Sequence, residues 1–169
     1  PLARLEFFLI SPDKEAKAQC RMKNGGLTVR LLVCAGGTGG GVYPALAVHN
    51  ALTSQRPKVE TLWVGGEGGM EEELVNRAGI SYRSIPAAGV HGVGLRALPG
   101  NIAKLTRGVL ASRRILREFK PDVLFFTGGF VAAPMAVAGM KVPTALYVPD
   151  IEPGLALKFL SRFADVITV

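Results

Sequence analysis

Short apolar runs alternate with longer amphipathic stretches along most of this chain. Val29–Cys34, Val59–Val64, Ile80–Ile85, Val123–Phe126, Thr144–Val148 and Val166–Val169 are apolar runs of strand length. Between them, residues 44–54, 69–77, 98–119, 131–139 and 153–162 read as helices. Strands that are apolar along most of their length and alternate with helices predict a parallel sheet covered on both faces. The expected fold is therefore a doubly wound, Rossmann-like α/β domain over 29–169. Residues 1–28 do not share the pattern. The chain opens on Pro1, and Met22 lies just ahead of the first strand, so 1–28 is expected to be an extension outside the fold. No helix closes the sixth strand, which predicts a part of a longer protein.

The first strand runs into Gly36-Gly37-Thr38-Gly39-Gly40-Gly41, with Pro44 placed where a helix is predicted to begin. Glycine lets a backbone approach a ligand closely, and proline is tolerated in a first helical turn. Free amides at such a helix start suit a phosphate or diphosphate; a tight turn with no ligand is the alternative. The loop fails the dinucleotide pattern, because Val42 falls at its third glycine position and Val64 is followed by Gly65-Gly66 rather than an acid. No Gly-Lys-Ser/Thr run follows a glycine, which excludes a P-loop.

A second glycine loop, Thr127-Gly128-Gly129-Phe130, follows the fourth strand. In a parallel sheet all strand-to-helix loops open at one edge, so the two loops are expected to face one crevice. Close helix–strand packing is the alternative for Gly128 and Gly129. After the fifth strand come Asp150 and Glu152. Asp150 is a candidate to accept a sugar hydroxyl or act as a base, while Glu152 reads as an ordinary acid at a helix start.

Charge changes the picture in one segment. The net charge is +7, and residues 96–120 hold Arg96, Lys104, Arg107, Arg113, Arg114, Arg117 and Lys120 against Glu118 alone. Leu98, Ile102, Leu105, Val109 and Leu116 are predicted to form the core stripe of this helix, with Lys104, Arg107 and Arg114 opposite. With the apolar loop 89–95 ahead of it, this face suits an anionic bilayer surface; a solvated helix face is the alternative. Nucleic acid is not an expected partner, since interleaved aromatics and known binding motifs are missing. Two cysteines, Cys20 and Cys34, fit a reducing compartment. No apolar run reaches the length of a membrane span, and the N-terminus lacks a signal-peptide pattern. His49 reads as a surface or packing residue and His91 as a loop residue. Neither lies at ligand spacing, so no metal site is expected.

Together, GGTGGGVYPALAV, GGMEEELVNRAGI, KPDVLFFTGGFVAAPMAVAG and the PG-containing loop before LSRFADVI resemble the N-terminal half of the MurG family of bacterial GlcNAc transferases, glycosyltransferase family 28. The resemblance covers about residues 29–169 and implies the acceptor-binding half of a two-domain GT-B enzyme. That enzyme converts lipid I to lipid II in peptidoglycan synthesis. The implied partners are UDP-GlcNAc, a lipid-linked diphosphate acceptor and the cytoplasmic face of the membrane, with no cofactor. Thr38, Gly39 and Gly40 match family positions for donor contact, and Gly128-Gly129 match the family's second glycine loop. Two departures stand out. Gly41 occupies the family's histidine position, and Asp150 replaces the asparagine of a His-Glu-Gln-Asn run. Two other functions stay open at this point: a membrane-docking subunit for a separate donor-binding chain, and a nucleotide-binding protein of different activity.

Overall fold

A computed structural model of the chain describes residues 28–36, 39–55, 58–87, 98–148 and 154–168. Its strands are β1 (Val29–Cys34), β2 (Val59–Gly66), β3 (Ser81–Ile85), β4 (Val123–Phe126), β5 (Thr144–Tyr147) and β6 (Val166–Thr168). Its helices are α1 (Gly39–Gln55), α2 (Glu71–Arg77), α3 (Leu98–Phe119), α4 (Ala132–Ala138) and α5 (Leu155–Leu160). All strands pair in parallel, in the order β3-β2-β1-β4-β5-β6. This is the doubly wound sheet expected from the alternation. The proposed extension 1–28 lies outside the described residues except for Thr28.

β1 sits at the centre, and its side chains divide between two cores. Leu32 and Cys34 join Leu124, Phe126, Met135, Leu146 and Leu160 on the face covered by α3, α4 and α5. Leu31 and Val33 join Trp63, Phe125, Val42 and Val75 on the face covered by α1 and α2. The period of two along a strand buried on both sides explains why VRLLVC lacks polar positions after Arg30. Trp63 is fully buried, and its indole N–H donates to the Ala35 carbonyl at 2.9 Å, which pins the end of β1 to β2.

Two local expectations are corrected. α1 begins at Gly39, so Pro44 lies inside the helix rather than at its start. Val42 and Ala45, three residues apart, are both fully buried against the sheet. Helical backbone has to reach back to Val42 to place both there. The missing Pro44 N–H is the one an α-helix would aim at the Gly40 carbonyl.

The buried face of α3 is also rotated from the predicted stripe. Gly108, Ser112 and Ile115 face inward, whereas Ile102 is 52% exposed. Gly108 sets this rotation, since a Cβ there would collide with the Pro86 carbonyl and lie 3.3 Å from the Pro134 side chain. Gly108→Ala should therefore destabilise by about 1–3 kcal/mol through overpacking, although alanine gains up to about 1 kcal/mol in helix propensity. Urea unfolding checks the sign, and a stabilised variant would mean that α3 slides freely over Pro86.

Candidate active site at the carboxyl edge of the sheet

The strand order reverses between β1 and β4, and the carboxyl ends of these two strands carry the two glycine loops. In open parallel sheets this switch point is where a crevice forms. Leaving β1, Ala35 and Gly36 are buried, and Gly39, Gly40 and Gly41 form the first turn of α1. First-turn amides have no partner within their own helix. Gly40 is exposed and Gly41 half-buried.

Leaving β4, Gly128 and Gly129 adopt φ of +110° and +83°, a backbone that residues with a Cβ rarely take. A Cβ on Gly129 would collide with the Gly36 carbonyl oxygen, and one on Gly128 would lie 3.1 Å from the Leu157 side chain. The nearly buried Thr127 hydroxyl donates to the Gly41 carbonyl at 2.8 Å. The two loops thus touch at Gly36–Gly129 and are tied together at Thr127–Gly41. Packing thus excludes a side chain at Gly129, while at Gly128 the positive φ is what favours glycine. α4 is only seven residues long, so any anion attraction here rests more on loop amides than on a helix dipole.

The Gly41 position is closed in. A Cβ there would stand 3.1 Å from Thr127 Oγ1, tight enough that the threonine has to give way. An open groove of about 630 Å³ between α1 and the start of α2 is lined by Tyr43, Gly69, Met70 and Glu72 among others.

One residue of this region was not singled out by its sequence context. Glu71, the first residue of α2, is fully buried and accepts a hydrogen bond from the Gly66 N–H at 2.9 Å. The available signal was its spacing, because Glu71 lies four residues before the buried Val75 and so shares the inward face of α2. Its charge is felt nearby. Burial first, and Glu71 second, push the Cys34 thiol and the Tyr82 hydroxyl up from their ordinary values. Cys34 is buried and stays a thiol, which makes it a packing residue.

Thr38, Asp150, Glu152 and His91 lie outside the described residues. His49 is half-buried on α1, with Nδ1 3.3 Å from Asn50 Oδ1, away from the loops. Lys104, Arg107 and Arg114 are exposed on α3. Arg114 Nε donates to Glu118 at 2.9 Å, and Arg83 pairs with the same carboxylate. These bonds, that of Arg83 foremost, hold the Glu118 carboxyl below its ordinary range. Lys104 and Arg107 have no such partner among the described residues. Among the described residues no three His, Cys, Asp or Glu side chains gather as metal ligands, and no helix is long and apolar enough to cross a membrane.

Comparison with known proteins agrees with this architecture. Residues 31–169 match the model of the glycosyltransferase family 28 N-terminal domain. A UDP-N-acetylglucosamine–N-acetylmuramyl-(pentapeptide) pyrophosphoryl-undecaprenol N-acetylglucosamine transferase of Natranaerobius thermophilus is 40% identical over 143 residues, 83% of this chain and 39% of that protein. Its counterpart from Halalkalibacterium halodurans is 37% identical over the same shares. The crystal structure of Acinetobacter baumannii MurG superposes with a TM-score of 0.70 at 30% identity, covering 82% of this chain and 40% of that one. A putative UDP-N-acetylglucosamine 2-epimerase from Listeria monocytogenes shares the fold alone, with a TM-score of 0.60 at 10% identity over 83% of this chain and 39% of that one. The chain therefore spans about two fifths of the length of the transferases it matches.

Proposed function

Because the chain belongs to glycosyltransferase family 28 through its N-terminal domain, we propose that it forms the acceptor-binding half of an inverting GlcNAc transferase. The donor is UDP-GlcNAc, and the acceptor is a sugar on a polyprenyl diphosphate, lipid I becoming lipid II in peptidoglycan synthesis. The observation that carries this reading is the pairing of two glycine loops at the β1–β4 switch point, which fits a diphosphate. The names of the relatives supply the donor and acceptor class.

In the proposed reaction an acceptor hydroxyl oxygen bonds to C1 of GlcNAc, the bond from C1 to the UDP oxygen breaks, and a base takes the hydroxyl proton. Backbone amides of the first loop, Thr38, Gly39 and Gly40, and of Gly128 and Gly129 stabilise the diphosphate charges. With Gly41 at the family's histidine position, Asp150 is the candidate base. The decisive assay supplies UDP-GlcNAc and a lipid I analogue. The full-length protein is expected to release UDP and form the disaccharide, whereas residues 1–169 alone should show no turnover. A full-length protein that binds both and transfers nothing would overturn the reading.

We assign the basic face of α3 to an anionic bilayer at the cytoplasmic side of the membrane. Ile102 and Leu110 are 52% and 58% exposed on the same helix as Lys104, Arg107 and Arg114, a mixture that suits a lipid headgroup layer. Near such a surface each basic side chain contributes about 1 kcal/mol. Arg114 is already engaged by Glu118, so Lys104 and Arg107 should dominate. Changing all three to Gln should weaken binding to phosphatidylglycerol vesicles by about 30-fold or more, most of it from Lys104 and Arg107. Raised salt should act in the same direction. Unchanged flotation with the vesicles would mean a merely solvated face.

A further inference from the structure

Glu71 is the fully buried carboxylate among the described residues, and glycines surround it. A Cβ on Gly36 or on Gly69 would collide with its carboxyl group, and one on Gly65 would come within 2.7 Å of Oε1. The Gly66 N–H donates to the same oxygen at 2.9 Å. The end of β1, the end of β2 and the turn before α2 therefore all close on one carboxylate. Gly36 in turn carries Gly129 against its carbonyl, so a continuous line of contact runs from Glu71 through the first glycine loop to the second.

Burying a carboxylate is costly unless fixed donors face it, and an apolar side chain of this size would fill the space more cheaply. What the carboxylate adds is direction, because its lone pairs orient backbone N–H groups that a methyl leaves free to turn. Electrostatically it works against the proposed ligand, since a negative charge behind the loops repels a diphosphate. Position and charge thus predict opposite effects on anion binding.

We infer that Glu71 is a positioning residue that sets both glycine loops in the geometry that receives a diphosphate. The inference rests on the reading of the site given above. Acting through the loops, Glu71 does not touch the ligand.

The test uses the full-length protein with Glu71→Gln and Glu71→Asp. One arm is hydrogen exchange of peptides spanning Gly36, Gly66–Gly69 and Gly128–Gly129, with the β5 peptide 144–148 as reference. The other is titration with inorganic pyrophosphate. Both variants are expected to exchange at least tenfold faster in the glycine peptides only, and to bind pyrophosphate at least fivefold more weakly. Ile115→Ala, a core change on α3 outside both loops, should lower the melting temperature while keeping glycine protection and pyrophosphate affinity. Glycine peptides that exchange as in the parent protein would overturn the inference, as would tighter pyrophosphate binding in Glu71→Gln, which marks a charge effect alone. Glycine peptides that loosen while the parent protein binds no pyrophosphate would overturn the diphosphate role and the reading of the site, and leave Glu71 as a loop anchor only.

Discussion

Gly129→Ala is expected to destabilise the fold by about 2–5 kcal/mol, the largest effect among the single glycine changes. Two independent penalties meet at this residue. Its φ is +83°, which costs a residue with a Cβ about 1–2 kcal/mol. The new methyl also collides with the Gly36 backbone carbonyl, and overpacking against a group that cannot rotate away adds about 1–3 kcal/mol. Two other glycines separate these causes. Gly68 has φ of +69° and open space around it, so Gly68→Ala should lose only the backbone part. Gly66 lacks a positive φ, and a Cβ there would lie 3.1 Å from a Val131 methyl, so its alanine variant should lose less than Gly129→Ala. Denaturant midpoints for the three variants give the ranking. Equal losses at Gly129 and Gly68 would show that the two loops do not press on each other.

Gly40→Val in the full-length protein should lower GlcNAc transfer by about 100-fold or more, the scale of a reacting group displaced by about 1 Å, with the fold retained. Gly40 is exposed and lies in the first turn of α1, where its backbone is helical. A valine there meets no positive-φ penalty, and its helix propensity slightly exceeds that of glycine. Stability should therefore hold within about 0.5 kcal/mol, the usual range for an exposed position. The lost activity then reports a blocked approach to the loop rather than unfolding. Gly79→Ala, at the end of α2 with φ of +70° and open space around it, is the comparison, with the opposite signature of a stability loss and nearly full transfer. Activity losses that follow stability at both positions would reduce the first loop to a turn.

The sheet and its helices were legible because their causes are local. A strand buried on both faces has to be apolar where it is buried, and VLFF and the part of VRLLVC after Arg30 are, so β1 and β4 lie where the apolar runs place them. The glycine runs at the ends of β1 and β4 were legible for the same reason, although Gly39, Gly40 and Gly41 belong to α1. Their meeting point was an inference from parallel topology, and the contact of Gly36 with Gly129 joins residues far apart in the chain.

Three features were decided only in three dimensions. Pro44 reads as a helix start, but the burial of Val42 and Ala45 against β1 and β2 draws α1 back to Gly39. Ile102 reads as core by its spacing, yet the close fit of Gly108 to the Pro86 carbonyl turns α3 and leaves Ile102 in solvent. Glu71 stands first in a run of three acids that opens α2, and only the closing of two strand ends around it buries its carboxylate. By itself, then, the sequence determined the alternation of elements, the fold class and the two glycine loops, because periodicity and backbone freedom act over a few residues. The rotation of each helix and the identity of the buried acid came from the tertiary structure, because they depend on which distant backbone comes closest.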